Sequence, residues 1–250
     1  MKNKVTAVYF SPTGGTKLAV QRFAENFTDT VLVDNTLPQQ RARQLAFTAE
    51  ELVIVANPVY AGQMPQVSGL WRNLKGHDTP CVLLACYGNR HYDDTLAQMQ
   101  SLLEAQGFKV IGAAAVVIPH IFSDVLGSNR PNDADASVLA EFADRIAAKL
   151  QQGKTEKLQL PGNPAPEIKA PVMVPKTLQL KQCNMCGTCT ALCPVQAIDA
   201  VTLACDDKIC ISCMRCVKYC RTGARSFDNT KIAAWLESNF SSPRAIECFS

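Results

Sequence analysis

Twelve cysteines stand in this chain of 250 residues, and nine of them fall between Cys183 and Cys220. Their spacing limits the possible folds more than any other feature. The first run is Cys183-x2-Cys186-x2-Cys189-x3-Cys193-Pro194, and the second, offset by 27 residues, is Cys210-x2-Cys213-x2-Cys216-x3-Cys220. A secreted disulfide framework of this density is short and carries a leader. Here Met1–Lys4 lead straight into Val5–Phe10, an apolar run shorter than a signal-peptide core of about 7–15 residues. The expectation is a cytoplasmic protein whose clustered cysteines ligate metal. No stretch approaches the roughly 20 apolar residues of a membrane-spanning helix.

The spacing has a physical reading. Three thiolates set two residues apart can wrap one iron–sulfur cube, and the chain then carries a fourth cysteine across to the other cube. Two [4Fe–4S] clusters are expected, one on Cys183, Cys186, Cys189 and Cys220, the other on Cys210, Cys213, Cys216 and Cys193. Zinc is the competing reading, since paired C-x2-C motifs bind it. Each run, however, holds an interior cysteine beyond such pairs, and the run is duplicated whole. Residues 181–228 resemble a bacterial two-cluster ferredoxin, which implies a small α+β domain. The second run departs from that pattern, with Met214 where the first has Gly187 and Arg221 where proline is common. Arg221 would favour the reduced, more negative cluster. Cys81, Cys86 and Cys205 are expected to fill core, and Cys248 to be a bystander.

Hydrophobic residues make up 47% and charged residues 19% of the chain, which excludes a disordered polymer. The length suits two modules. Residues 1–150 hold 13 Lys+Arg and 14 Asp+Glu, and residues 151–250 hold 12 and 8. That balance is too small to argue for nucleic acid. Five prolines between Pro161 and Pro175 forbid a helix there. The segment serves either as a semi-rigid tether or as a strap laid along one module. The expected divisions are 1–152, a linker 153–180, the cysteine-rich unit 181–228, and a tail 229–250 with one helix over Thr230–Phe240 and Trp235 and Phe240 facing inward.

The first 150 residues alternate strand-like and helix-like runs. Expected strands are Val5–Phe10, Thr30–Val33, Leu52–Ala56, Cys81–Cys86 and Lys109–Ile118. Expected helices are Thr16–Phe27, Gln66–Leu74, Asp93–Gln106 and Ala134–Gln152, with a weaker one within Gln39–Phe47. Such alternation indicates an α/β doubly wound, five-stranded parallel sheet, which binds ligands beyond the C-terminal strand ends. There stands Ser11-Pro12-Thr13-Gly14-Gly15-Thr16, a hydroxyl- and glycine-rich turn into a helix, which suits an anion. An ordinary strand–helix turn is the plainer alternative. It lacks the lysine of a P-loop and the G-x-G-x-x-G of a dinucleotide site, so a monophosphate fits it best. Pro58-Val59-Tyr60-Ala61-Gly62 and Tyr87-Gly88-Asn89-Arg90-His91-Tyr92 follow the third and fourth strands. Their aromatics can stack on a flat ring, and their glycines admit its edge.

Residues 3–150 are similar to flavodoxins, and the whole chain resembles the flavodoxin–ferredoxin fusion proteins of anaerobic bacteria. The resemblance implies FMN, its phosphate on Ser11, Thr13, Gly14, Gly15 and Thr16. Its ring would lie against Pro58, Val59, Tyr60, Ala61, Gly62, Tyr87, Gly88, Asn89, Arg90 and Tyr92, with Tyr60 favoured over Tyr92 for stacking. The expected function is electron transfer between FMN and two clusters, joining two-electron to one-electron chemistry. Expected partners are redox proteins (a ferredoxin, a flavodoxin or a reductase), with no nucleic acid and no membrane span. The alternative is an oxidoreductase in which the clusters feed FMN to reduce a small organic acceptor. His91, His120 and a covering loop at Ile121–Asp133 would then shape the pocket. A redox sensor ranks last.

Overall fold

Long apolar strands are stable only where both faces of their sheet are covered, and the fold provides that cover. The computed structural model describes residues 4–153, 158–170 and 172–250. The expectations touching Met1–Asn3, Lys154–Lys157 and Pro171 lie outside the described residues. The elements begin with β1 (Val5–Tyr9), α1 (Gly15–Ala24), β2 (Val31–Asp34), α2 (Pro38–Arg41) and β3 (Leu45–Phe47). They continue with β4 (Leu52–Pro58), β5 (Leu74–Gly76), β6 (Thr79–Tyr87), α3 (Thr95–Glu104), β7 (Phe108–Val117) and α4 (Asp133–Gln152). The remainder are β8 (Lys176–Leu178), α5 (Thr188–Ala191), α6 (Arg215–Lys218), β9 (Arg225–Phe227), α7 (Thr230–Phe240) and β10 (Glu247–Phe249).

The main sheet runs β10-β7-β6-β4-β1-β2. Its five inner-module strands are parallel and follow the doubly wound order 2-1-3-4-5 of a flavodoxin-like fold. Alternate residues feed two cores. Val5, Ala7 and Tyr9 pack towards α1 and α4, whereas Val8 and Phe10 pack on the opposite face. Phe23 of α1 stacks on Phe142 of α4 at 5.3 Å between ring centroids. Helix α4 is closed by a reciprocal Asn132–Asp135 capping box and by Gly153 in the left-handed region.

Four expectations are corrected. The sheet has six strands and is mixed, because β10 adds antiparallel to β7. A free edge exposes unpaired backbone groups, and the tail covers this one. Cys248, expected as a bystander, therefore sits in a strand opposite Ala114. No helix forms across Gln66–Leu74: residues 68–73 are turns and Leu74 opens β5. Val67, Ser68 and Gly69 are weak helix formers, and Trp71 adopts a left-handed backbone with its indole buried and donating to Asn57 Oδ1 at 3.2 Å. The small ribbon β3–β5 takes that place. The tail helix α7 spans Thr230–Phe240, but Leu236 is its buried residue and Trp235 stays 56% exposed.

Of the two conformations open to the proline-rich segment, the structure adopts the strap. Gln63 donates its side-chain amide to Glu167 O at 2.7 Å and accepts from Lys169 N at 3.1 Å. Asn163 N donates to Asp94 Oδ1 at 2.9 Å, and Leu160 and Val174 are buried. The cysteine-rich part contains two one-turn helices, α5 and α6, and the antiparallel ribbon β8–β9. Gly187 and Met214 precede the two helices with the same left-handed backbone. Glycine takes that geometry freely, and Met214 is held in it while buried against Phe122 and Leu236. No helix among the described residues is long and apolar enough to cross a membrane.

Candidate functional site

The chain reverses direction across the sheet between β1 and β4, and a cavity of about 480 Å³ opens at the C-terminal ends of those strands. Ser11, Pro12, Thr13 and Thr16 line it after β1, and Pro58, Val59, Tyr60, Ala61 and Gly62 line it after β4. Tyr87, Gly88, Arg90 and His91 contribute after β6. The far wall comes from segments distant in sequence: Lys169 and Val172 of the strap, Ile211, Ser212 and Cys213 of the second cysteine run, and Ile232, Trp235 and Leu236 of α7.

The first loop is shaped by side chains that leave its amides open. Ser11 Oγ accepts from Lys17 N at 2.9 Å, and Ser11 N donates to Thr36 Oγ1 at 2.9 Å. Gly14 stands at the helix N-terminus with φ +92° and no side-chain cap, a conformation that L side chains resist. Among the described residues, the N–H groups of Thr13, Gly14, Gly15 and Thr16 have no acceptor within the chain. Orphan donors at a helix N-terminus attract anions. The loop's carbonyls are taken up by the second cysteine run. Arg215 donates to Ser11 O and Pro12 O, and Lys218 Nζ donates to Thr13 O at 2.6 Å. Sequence reasoning found no cation for this loop, because these two lie about 200 residues away.

Gly14, Gly15, Asn89 and Tyr92 are not among the residues lining the cavity. Asn89 pins the tail, donating to Phe240 O at 2.7 Å and to Ser242 O at 3.0 Å while accepting from Arg244 N. Tyr92 is buried and donates to Glu247 of β10 at 2.7 Å. Tyr60 lines the cavity and packs in one hydrophobic cluster with Ile211 and Cys213. Burial, with the neighbouring Cys213 and Cys210 adding to it, raises its hydroxyl well above the usual tyrosine range. The loop after β7 lines the cavity through Ile121 and Phe122 and is tied to α7 and the residue before it. Ser123 Oγ donates to Glu237 Oε1 at 2.6 Å, and Asn229 donates to Phe122 O at 3.2 Å.

His120 also lines the cavity, and burial pushes it down to about 4. It is therefore neutral at pH 7. The unfolded chain protonates it first as pH falls, so its contribution to stability is complete above about pH 6.5 and is lost towards pH 4. The loss between pH 7 and 5 should be of the order of 2 kcal/mol. Urea midpoints of wild type and His120→Gln at both pH values check this. An equal fall in the two proteins contradicts it.

The cysteines divide between two further cavities. Cys183, Cys186, Cys189 and Cys220 line one, and Cys193, Cys210, Cys213 and Cys216 line the other. Cys205, expected as core filling, joins the second set. Among the described residues no group of three or more His, Cys, Asp or Glu is placed to hold a single metal ion. The two sets differ in exposure. Cys186 is exposed and its three companions are half-buried, whereas Cys193, Cys210, Cys213 and Cys216 are buried and Cys205 beside them is half-buried. Cys213 lines both the second cysteine cavity and the 480 Å³ cavity. Cys81 and Cys86 are wholly buried in β6, and burial raises Cys86 to about 12.

No protein-family model matches the chain, and no curated protein matches it. Among solved structures it is similar to a flavodoxin from the domain Archaea, at 13% identity and TM-score 0.41, covering 59% of this chain and 99% of that one. It is similar to a flavodoxin of Streptococcus pneumonia TIGR4, at 17% identity and TM-score 0.40, covering 58% of this chain and 98% of that one. A flavoprotein in complex with FMN from Lactobacillus acidophilus NCFM matches at 14% identity and TM-score 0.34, covering 45% of this chain and 92% of that one. These likenesses are too distant to carry an assignment, which rests on the strand order. Fold and cavities together define a flavodoxin-like α/β protein with an appended cysteine-rich unit seated over its strand ends.

Proposed function

We propose that the chain is a flavo-iron–sulfur electron-transfer protein, with FMN in the large cavity and a [4Fe–4S] cluster in each cysteine cavity. The observation that carries this reading is Cys213, shared by the flavin cavity and the second cysteine cavity. The residues fit the groups. Four open amides and the Thr13 and Thr16 hydroxyls suit a phosphate, and donor sets of thiols alone, four in one cavity and five with Cys205 in the other, suit iron–sulfur clusters. When bound, FMN exchanges one or two electrons and each cluster passes one.

The chain's own residues order the route. The exposed first set faces outward, where a ferredoxin, flavodoxin or reductase would meet it. The buried second set adjoins the large cavity through Cys213, and Tyr60 packs against Ile211 and Cys213 there. Arg215 and Lys218 bind the phosphate loop to the same short helix that carries Cys216. Anaerobic reconstitution tests the reading directly. It should yield flavin absorbance, iron and inorganic sulfide, with rapid electron exchange between flavin and iron. A protein that stays colourless after refilling, or takes up zinc in place of iron, overturns it.

The phosphate role has its own test. Thr13→Val with Thr16→Val should weaken FMN about tenfold or more, since about 1 kcal/mol is lost with each neutral hydrogen bond. Iron content should not move. Fluorescence-quenching titration with FMN is the measurement, and unchanged affinity excludes the loop as the phosphate site.

A further inference from the structure

Arg225 opens β9 and is only 4% exposed. A guanidinium cannot shed its proton in a protein, so the positive charge is buried with it. A buried charge is tolerated only where opposite charge compensates it. Among the described residues no carboxylate pairs with Arg225. One amino group donates to Leu203 O, and the Nε–H is buried with no acceptor. The side chain lines the first cysteine cavity, and the groups acting on its charge are Cys189, then Cys216 and Cys205. Cys189 belongs to the first set of ligands and Cys216 to the second. Arg225 thus stands beside the first set of sulfurs with no carboxylate to compensate it.

Resting on the reading of two clusters, we propose that Arg225 is the buried counter-charge of the first cluster. It is a positioning residue that lines the first cysteine cavity and keeps one buried donor open. Four thiolates around an iron–sulfur core leave net negative charge, which the guanidinium neutralises at close range. On reduction, one electron from a one-electron donor enters the core, no proton moves and no bond breaks. The added negative charge is stabilised by Arg225, so the midpoint potential is raised. The sequence had pointed to Arg221 for this role. Arg221 is exposed, and water and salt screen it. Arg225 acts through a low dielectric, where a charge is worth several times more.

The test uses the full chain, reconstituted anaerobically with iron, sulfide and FMN, and titrated with dithionite under EPR detection. Arg225→Met should keep its flavin and show one cluster potential shifted downward. Arg225→Lys should restore most of the shift, and Arg221→Met should leave both potentials near wild type. If Arg225→Met instead loses about half of its iron while Arg225→Lys keeps it, the counter-charge is confirmed as a condition of holding the cluster. Unchanged iron with unchanged potentials overturns the proposal, as does Arg225→Lys behaving like Arg225→Met. Wild type without iron is a separate failure, that of the cluster reading itself.

Discussion

Cys213→Ser is expected to halve the iron of the reconstituted protein and to abolish rapid electron exchange between flavin and iron, while the flavin stays bound. The effect should be large because Cys213 belongs to two cavities at once. Its loss removes a ligand from the buried set and opens the path where the flavin cavity adjoins it. Cys186→Ser supplies the contrast. That residue is exposed in the outer set, so its loss should also halve the iron yet leave exchange between flavin and the remaining cluster intact. Electron delivery from an external protein carrier should then slow sharply. Iron and sulfide analysis with stopped-flow spectroscopy separates the two variants. Retention of both clusters in either variant would falsify the ligand partition. Abolition of internal exchange by Cys186→Ser would reverse the proposed order of the route.

Arg215→Ala combined with Lys218→Ala should weaken FMN on the order of a hundredfold. Both cations donate to carbonyls of the loop proposed to hold the phosphate, at Ser11, Pro12 and Thr13. Hydrogen bonds from charged groups are worth about 1.5–3 kcal/mol each, and every 1.4 kcal/mol is tenfold in affinity. Removing them frees the loop and takes two positive charges from beside the anion site. The affinity lost should also carry away much of its dependence on ionic strength. Iron content should hold, because neither side chain is a ligand. Calorimetric titration of the flavin-free protein at two salt concentrations is decisive. Equal affinities in mutant and wild type would show that the clamp has no part in nucleotide binding.

The strands were legible because fully buried parallel strands are unbroken apolar runs. Val5–Phe10, Leu52–Ala56 and Cys81–Cys86 each lie within a residue or two of β1, β4 and β6. The partition of eight cysteines between two cavities was legible for a related reason: it is written in short spacings along the chain. Gln66–Leu74 misled, because spaced apolar residues there serve a buried turn around Trp71 rather than a helix face. Asn89 and Tyr92 share a loop with cavity residues, and nothing local marks them as anchors for a tail some 150 residues further on.

Periodicity and spacing are local properties, and they decided the alternation of strands and helices, the anion-suited turn and the pattern of the cysteine runs. They carry no record of which distant surfaces meet. Contacts such as Arg215 with Ser11, separated by 204 residues, arise only when the strap, the second cysteine run and α7 pack over the strand ends. The closure of the sheet edge by β10, the cations on the loop after β1, the burial of Arg225 and the double placement of Cys213 are products of that packing. Burial and charge compensation act through space, so they become visible only once the chain has folded.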